Sequence, residues 1–346
     1  MSQTYKIRKG HNIKLIGDAP QKHLGAVASS TYAVSPLDFP GITPKLVVKA
    51  GTQVNAGDVL FYDKDRPEVL ICSPVSGEVT EIKRGAKRKI LQVIILADSD
   101  TKYADHGSFD LKSADREAAA THFADTGVGA LITSRPYGVA ASMHELPRDI
   151  FVNGVQSGPL VGDLAYQLAG KETEVAAAIE ALSLMTAGKV YVSQDGDAPS
   201  LELLSHKKAT SIQFTGKHPK GLVGTQIAQV APMNKGEIVW TLNAVDLPVI
   251  GHAFLTGAYA PTYLVAVAGS RAKNAGYATM TQGVGLSSFV STNINNDNTR
   301  MIAGDVLTGT KIEENGFLSF GKSQITAIPE GNSTEFFGWV LPGFGK

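Results

Sequence analysis

The sequence predicts a multidomain protein of mixed α+β and α/β class, with β-rich modules near both ends and a layered α/β module between them. Its 346 residues exceed what one ordinary hydrophobic core holds, so we expect two or three domains. Short β-prone runs fill the first hundred residues and return after residue 260, whereas helical periodicity lies in the middle. These patterns predict segments at residues 1–100, 101–250, 251–310 and 311–346.

The composition is that of a globular protein without a strong overall charge. Hydrophobic residues make up 43% and charged residues 18%, and 32 basic residues balance 32 acidic ones, so no global field attracts nucleic acid. The longest apolar runs fall far short of the roughly 20 residues that span a bilayer. Residues 1–10 lack the apolar core of a secretory signal, and the single cysteine excludes disulfides within the chain. We therefore expect a cytoplasmic protein without a transmembrane segment or a nucleic-acid partner.

Four β-prone runs with glycine and proline turns between them lie in the first segment, at residues 46–48, 59–61, 69–71 and 92–96. Strands at such short intervals are typical of a small barrel or sandwich. Residues 48–60 (VKAGTQVNAGDVL) and 73–79 (SPVSGEV) resemble biotinyl and lipoyl carrier domains. The resemblance implies a barrel-sandwich hybrid fold for residues 1–100.

A carrier domain needs an exposed lysine, after an aspartate, at a hairpin tip. The matching positions here hold Asp65 and Arg66. A guanidinium is protonated at any relevant pH and cannot form the amide with lipoate or biotin. We therefore expect this module to serve as a scaffold rather than as a carrier.

The second segment alternates helical and strand-like patterns. A helix is predicted from a cap at Ser113 to about Asp125, with Gly127 just past its end, and alanine-rich helical periodicity returns at residues 172–186. Strand-like runs lie at 149–152, 189–193 and 210–214. This alternation predicts a doubly wound α/β sheet. After Pro261, runs at 263–268, 281–286 and 301–307 predict a small mixed domain with frequent turns.

Several motifs are present without the context that their chemistry needs. Residues 316–323 (GFLSFGKS) match the phosphate-binding loop, but Ser323 leads into a β-prone run ending at Pro329 instead of a helix. Two Gly-Val-Gly fragments, at 127–129 and 283–285, lack the third glycine of a dinucleotide fingerprint. The eight histidines and Cys72 show no metal-ligand spacing, and no nucleophile elbow occurs. We expect no metal site and no hydrolytic chemistry.

A basic run, KRGAKRK at residues 83–89, lies between two predicted strands. Its position predicts a hairpin turn, and there are two interpretations of its charge. It is either a solvated turn or a docking patch for an acidic partner surface or lipid headgroups.

Seven segments, in order along the chain, together resemble the NqrA family, whose members are subunits of the sodium-translocating NADH:quinone oxidoreductase. Each segment is weak evidence by itself, but the ordered set covers essentially the whole sequence. The segments are RGAKR at 84–88, TSRPY at 133–137, GKVYV at 188–192, HPKGLVGT at 218–225, FLTG at 254–257, DVLTGT at 305–310 and FGWVLPG at 337–343.

The resemblance implies a fold similar to the flavin-binding NADH dehydrogenase subunit of complex I and to its counterpart in the Rnf complexes. It thus implies a Rossmann-like domain at 101–250 and a small β-grasp domain of the SLBB type at 251–310. The flavoprotein relatives hold FMN on a glycine-rich loop, but residues 126–136 (TGVGALITSRP) have lost most of those glycines, and the iron–sulfur cysteines are absent. We therefore expect no cofactor on this chain, with flavins and an iron–sulfur centre on other subunits.

The function implied by the resemblance is that of a peripheral subunit on the cytoplasmic side of the bacterial inner membrane. The complex passes electrons from NADH to quinone and exports Na⁺, and its other subunits, including membrane subunits, are the expected partners. Quinone, the substrate of the complex, is expected to contact Tyr32, Arg135, Pro136 and Tyr137, because an aromatic ring stacks on a quinone and an arginine bonds its carbonyl.

Two other functions remain open. The chain is either a redox-inert assembly scaffold without a ligand site, or a flavoprotein dehydrogenase that acts alone and would be yellow when purified. Family members continue into a further helical region, so we expect this sequence to be truncated after residue 346.

Overall fold

The computed structural model describes residues 3–332, 336–338 and 340. The end of the predicted C-terminal β segment and part of the FGWVLPG segment lie outside these residues. The first hundred residues form only strands and short turns. The strands are β1 (Gln3–Ile7), β2 (His23–Ala26), β3 (Thr31–Val34), β4 (Pro44–Leu46), β5 (Gln53–Val54), β6 (Val59–Asp63), β7 (Leu70–Cys72), β8 (Gly77–Arg84) and β9 (Ile90–Ala97).

Helices and strands alternate in the middle of the chain, and a mixed module follows. The middle elements are α1 (Arg116–Asp125), β10 (Thr133–Arg135), β11 (Val139–Ala140), β12 (Ile150–Gly154), α2 (Leu164–Leu168), α3 (Glu172–Leu184), β13 (Val190–Asp195), β14 (Ala209–Gly216), α4 (Val223–Val230), β15 (Val239–Asn243) and α5 (Leu247–Thr256). The later elements are β16 (Thr262–Ala268), β17 (Gly276–Thr281), α6 (Ser287–Asn293), β18 (Thr299–Ala303), β19 (Thr310–Ile312) and β20 (Gln324–Pro329).

The N-terminal module is a sandwich of a four-stranded sheet, ordered β3-β9-β8-β5, and a three-stranded sheet, ordered β4-β6-β7. Its core is formed by fully buried aliphatic and aromatic side chains, among them Leu60, Phe61 and Ile95. Arg66, at the position of the carrier lysine, bonds Asp63 at 2.8 Å and the carbonyl of Ala140 at 2.6 Å. The arginine therefore ties the hairpin to the next module instead of projecting freely.

The α/β module contains a seven-stranded sheet in the order β1-β14-β13-β12-β15-β10-β11. Strands β1, β14, β13, β12 and β15 are parallel, and β10 and β11 are antiparallel. Ile150 and Val152 face the core that includes α3 and α5, whereas Phe151 packs on the opposite face against Ile227 of α4. Helices thus cover both faces of the sheet, as the doubly wound prediction requires.

The first helix begins later than the sequence suggested. Its N-cap is Asp115, whose carboxylate accepts from the backbone N–H of Ala118 at 2.9 Å, so the prediction of Ser113 as the cap was wrong. Ser113 instead donates to Asp110 at 2.6 Å. The end of the helix was predicted correctly, and Gly127 follows with a positive φ of 74°.

The third module is a six-stranded mixed sheet in the order β19-β18-β20-β16-β17-β2. Its edge strand β2 comes from the N-terminal segment of the chain, and β1 from the same segment pairs with β14. Main-chain hydrogen bonds therefore join the first 26 residues to both later modules. In the described part of the chain, no helix is long and apolar enough to cross a membrane.

Candidate functional site

A cavity of about 660 Å³ opens where the parallel strands of the α/β sheet end. Strands β14, β13 and β12 extend the sheet in one direction, whereas β15 lies on the other side of β12. The loops after β12 and β15 therefore diverge and leave a crevice at the carboxyl ends of these two strands, which is where open α/β sheets bind ligands. Asn153 and Asn243, near and at those ends, both line the cavity. We call it the switch-point cavity.

A hydrogen-bond network fixes one wall of the switch-point cavity. The amide of Asn153 donates to the carbonyl of Gly221 at 2.9 Å, and the N–H of Gly221 donates to the Ser157 hydroxyl at 2.9 Å. The same hydroxyl lies 3.0 Å from Nδ1 of His218. Gln226, fully buried, donates to Asn153 at 2.8 Å. Because these side chains bond one another, the loop before α4 is held in one conformation.

The N-terminus of α4 faces the same cavity. Val223 and Gly224 both line it, and among the described residues their backbone N–H groups have no acceptor. Leu222 precedes them and provides no side-chain cap. Free N–H groups at a helix start carry partial positive charge, so this wall favours an electron-rich atom.

Arg135 stands at the cavity wall at the end of β10. Its Nε is buried without a hydrogen-bond acceptor, and within the described ranges the guanidinium forms no ion pair. Lys322 supplies a second cation from the loop before β20. The carboxylate of Asp305 already accepts from the N–H of Leu307 at 2.7 Å and from the hydroxyl of Thr308 at 2.6 Å. The cavity thus contains donors that lack acceptors.

The predicted residues Pro136 and Tyr137 share a tight turn with Arg135, closed by a bond of 2.9 Å from the N–H of Gly138 to the carbonyl of Ser134. The Arg135–Pro136 peptide bond is cis. Pro136 is exposed, and Tyr137 is 79% exposed at the surface. Of these three residues, only Arg135 lines the cavity.

Comparison with known proteins matches three NqrA domains in order along the chain. Residues 5–98 match the NqrA N-terminal barrel-sandwich hybrid domain, residues 114–259 the NqrA second alpha/beta domain, and residues 264–314 the NQRA C-terminal domain. The NqrA subunit of the Na(+)-translocating NADH-quinone reductase of Vibrio atlanticus (strain LGP32) is 30% identical over 344 residues, covering 98% of this chain and 76% of the relative. The chain belongs to the NqrA family.

Other NqrA relatives agree in extent. The subunits of the same name from Actinobacillus pleuropneumoniae serotype 5b (strain L20) and Hahella chejuensis (strain KCTC 2396) are each 30% identical, cover 98% and 99% of this chain, and are themselves covered to 77%. These matches confirm the predicted family, the predicted fold class and the expectation of an oxidoreductase subunit. An NAD⁺-reducing [NiFe]-hydrogenase structure aligns over 66% of this chain at 14% identity with a TM-score of 0.44, too low to carry an argument.

In this NqrA chain, the loop that corresponds to the flavin loop of the flavoprotein relatives is packed with side chains. Val128 and Ile132 are fully buried, and a Cβ on Gly127 would meet the Cys72 sulfur at 2.6 Å. The N–H groups of Ala130 and Ile132 already donate to carbonyls within the turn, at 3.3 and 3.1 Å. A flavin phosphate needs such N–H groups free and backbone accessible, so these residues do not fit one.

Tyr32, the fourth predicted quinone contact, lies apart from the other three. It is on β3 of the N-terminal sandwich, 8% exposed, and its backbone bridges to Val284. Burial raises the pKa of its hydroxyl. Tyr32 does not line the switch-point cavity, and its role remains a prediction.

A smaller cavity of about 190 Å³ adjoins the first and shares Asn243, Gly321 and Lys322 with it. Its lining includes two carboxyl groups that the sequence did not single out. Burial raises the pKa of Asp38 to about 6 and that of Asp246 to about 7. Across the described ranges, no group of three or more His, Cys, Asp or Glu side chains is arranged to hold a metal ion.

Proposed function

We propose that this chain is a peripheral subunit of the Na⁺-translocating NADH-quinone reductase that contributes a quinone-binding site. The relatives are named as the NqrA subunit of that enzyme. In this proposal the complex transfers electrons from NADH to quinone and exports Na⁺, and this subunit lies on the cytoplasmic side of the bacterial inner membrane. Flavins and the iron–sulfur centre belong to the other subunits, with which it assembles.

The observation that supports a quinone site is the unbonded Nε of Arg135 in the wall of the switch-point cavity. A buried donor without an acceptor destabilises the protein, and a ligand carbonyl would satisfy it. Quinone carbonyl oxygens gain negative charge on reduction, and the guanidinium stays protonated throughout. Arg135 would therefore bind the reduced quinone more tightly than the oxidised one.

The cavity has the size and polarity that a quinone head group needs. Its volume of about 660 Å³ lies within the usual range of small-ligand sites. Val155, Val161 and Val245 provide apolar contacts for the ring, while the N–H groups at the start of α4 face it as donors. Tyr137 and Pro136 lie outside the cavity, so we propose that they cover a bound quinone or contact a neighbouring subunit.

Arg135→Ala is expected to weaken the binding of a short-tailed quinone roughly 10- to 100-fold, the loss of a hydrogen bond to a charged donor. Tyr137→Ala is expected to cause a smaller loss because its ring is mostly exposed. The measurement is saturation-transfer NMR of the purified chain during quinone titration. Arg8→Ala and Tyr103→Ala are matched controls, since both residues are exposed and neither lines the cavity.

The competing proposal is a redox-inert assembly scaffold. It is favoured by the pairing of β1 and β2 with the two later sheets, which makes the chain one interlocked support. Absence of saturable quinone binding by the chain, together with normal turnover of a complex carrying Arg135→Ala, would favour the scaffold. Lost turnover with the complex intact would count against it.

A further inference from the structure

Five cationic side chains crowd the hairpin between β8 and β9. Lys83 and Arg84 end the first strand, and Lys87, Arg88 and Lys89 form the turn. All five are exposed. Because acidic and basic residues balance over the whole chain, this hairpin is a local concentration of positive charge on a neutral molecule.

The charges of this hairpin are not neutralised by the protein. Among the described residues, none of the five cations forms an ion pair with a carboxylate. Arg84 alone makes a side-chain bond, donating to the carbonyl of Arg88 at 3.1 Å. The remaining hydrogen-bonding capacity of these side chains faces solvent.

The backbone of the turn would suit other residues better. Lys87 and Arg88 have φ of 54° and 59°, and the N–H of Lys89 donates to the carbonyl of Ala86 at 3.2 Å. Positive φ at both central positions is the conformation that Asn-Gly adopts with least strain, and it is disfavoured for residues with long side chains. The two central cations are therefore kept in spite of a local conformational penalty.

The chemistry of the hairpin matches a charged surface better than a protein interface. Protein interfaces centre on exposed apolar or aromatic anchors, and charged residues are depleted there. Within residues 82–91 no large apolar side chain is exposed, and Ile82, Ile90 and Leu91 all face inward to some degree. An anionic bilayer, in contrast, attracts a cluster of cations without any apolar contact.

We propose that the hairpin at residues 83–89 is an electrostatic docking site for the anionic lipid headgroups of a membrane surface. Each cation near such a surface strengthens binding about fivefold, and the attraction declines over a distance of about 10 Å in dilute salt. This docking does not depend on the quinone site, which belongs to a different module.

The test uses the 346-residue chain and co-sedimentation with vesicles of phosphatidylcholine alone or with about one third phosphatidylglycerol. Binding is expected only to the anionic vesicles and is lost in high salt. A variant with Lys83, Arg84, Lys87 and Arg88 all changed to glutamine is expected to bind at least about a hundredfold more weakly. The matched control changes Lys6, Arg8, Lys9 and Lys14 to glutamine, since these are also exposed and remove the same charge.

The control variant is expected to keep most of the binding. An equal loss in both variants would show that overall charge, not the hairpin, causes the attraction, and would overturn the proposal. Failure of the unaltered chain to bind anionic vesicles at low salt would also overturn it, and would leave a solvated turn or an acidic protein partner as the interpretation of the charge.

A second variant separates binding from stability. Lys87→Asn with Arg88→Gly relieves the strained turn, so the midpoint of thermal unfolding is expected to rise by a few degrees. The same change removes two of the five cations and is expected to weaken vesicle binding about 25-fold. A more stable variant that binds as tightly as the parent would contradict a docking role.

Discussion

Replacing Gly251 by alanine is expected to lower the free energy of unfolding by about 3 kcal/mol. Gly251 lies in α5, where that helix meets α3. A Cβ at this position would stand 1.8 Å from the carbonyl oxygen of Glu174 and 2.7 Å from its Cα. These are backbone atoms of a packed helix, so the two helices must separate. The gain in helix propensity from glycine to alanine, about 1 kcal/mol, offsets only part of this loss.

Gly224→Ala provides the matched control, because Gly224 is also a helical glycine but no atom lies within 4 Å of its added Cβ. That variant is expected to be as stable as the parent or up to about 1 kcal/mol more stable. Urea unfolding followed by circular dichroism gives both values. If Gly251→Ala unfolded at the same urea concentration as the parent, the close contact between α3 and α5 would be wrong.

The contact between α3 and α5 also bears on the site. Helix α5 follows directly on the turn after β15, and Asn243 at the end of β15 lines the switch-point cavity. Separation of the helices would move that edge of the cavity. Gly251→Ala is therefore expected to weaken quinone binding as well, whereas a stability effect alone would leave the folded fraction with normal affinity.

Local pattern predicted the α/β module, because each strand and helix there carries its own periodicity. The predicted runs 149–152, 189–193 and 210–214 correspond to β12, β13 and β14, and the predicted helix at 172–186 corresponds to α3. The pairing of β1 with β14 and of β2 with β17 was not predicted. Each of these pairs joins segments about 200 or more residues apart, and a strand's own residues do not specify so distant a partner.

The site was predicted only in part, and for different reasons at each residue. Arg135 was expected from the family resemblance, and the structure places it at a cavity wall. The cavity itself depends on β15, a strand that the sequence analysis did not identify, so the switch point could not be located. Lys322 belongs to the rejected phosphate-loop match; no helix follows it, as expected, yet it lines the cavity.

The two carboxyl groups beside the cavity show a further limit of sequence reasoning. Asp38 lies in a short 3-10 turn of the N-terminal module, and Asp246 lies before α5. Nothing in either local sequence distinguishes them from surface aspartates. Their raised pKa values arise from burial between modules, which is a property of the assembled fold.

The stability of this protein is expected to fall as pH rises from about 4 to 7, and Asp246→Asn is expected to remove much of that fall. Burial raises the pKa of Asp246 from 3.8 to about 7, despite bonds from the Tyr263 hydroxyl at 3.0 Å and the Asn243 N–H at 3.3 Å. Below pH 4 the carboxyl is neutral in both the folded and the unfolded chain. Between these pH values only the unfolded chain releases the proton, which costs the folded state up to about 4 kcal/mol.

The asparagine variant is always neutral, so it is expected to be more stable than the parent above pH 7. Below pH 4 it is expected to be slightly less stable, because its amide cannot accept at both positions, and the two stability curves therefore cross. Urea unfolding at several pH values measures both curves. Asp38, with a pKa of about 6, titrates in the same window and leaves a smaller dependence that Asp38→Asn removes.

Tyr263→Phe is the control that changes the same carboxyl in the opposite direction. The Tyr263 hydroxyl donates to Asp246 and holds its pKa lower than burial alone would. Without that bond, the proton is retained to higher pH, and the fall in stability is expected to extend above pH 7. Parallel stability curves for the parent and for Asp246→Asn would show that Asp246 is ionised in the folded protein. Water would then reach the small cavity, and a charged carboxylate would stand beside the proposed quinone site.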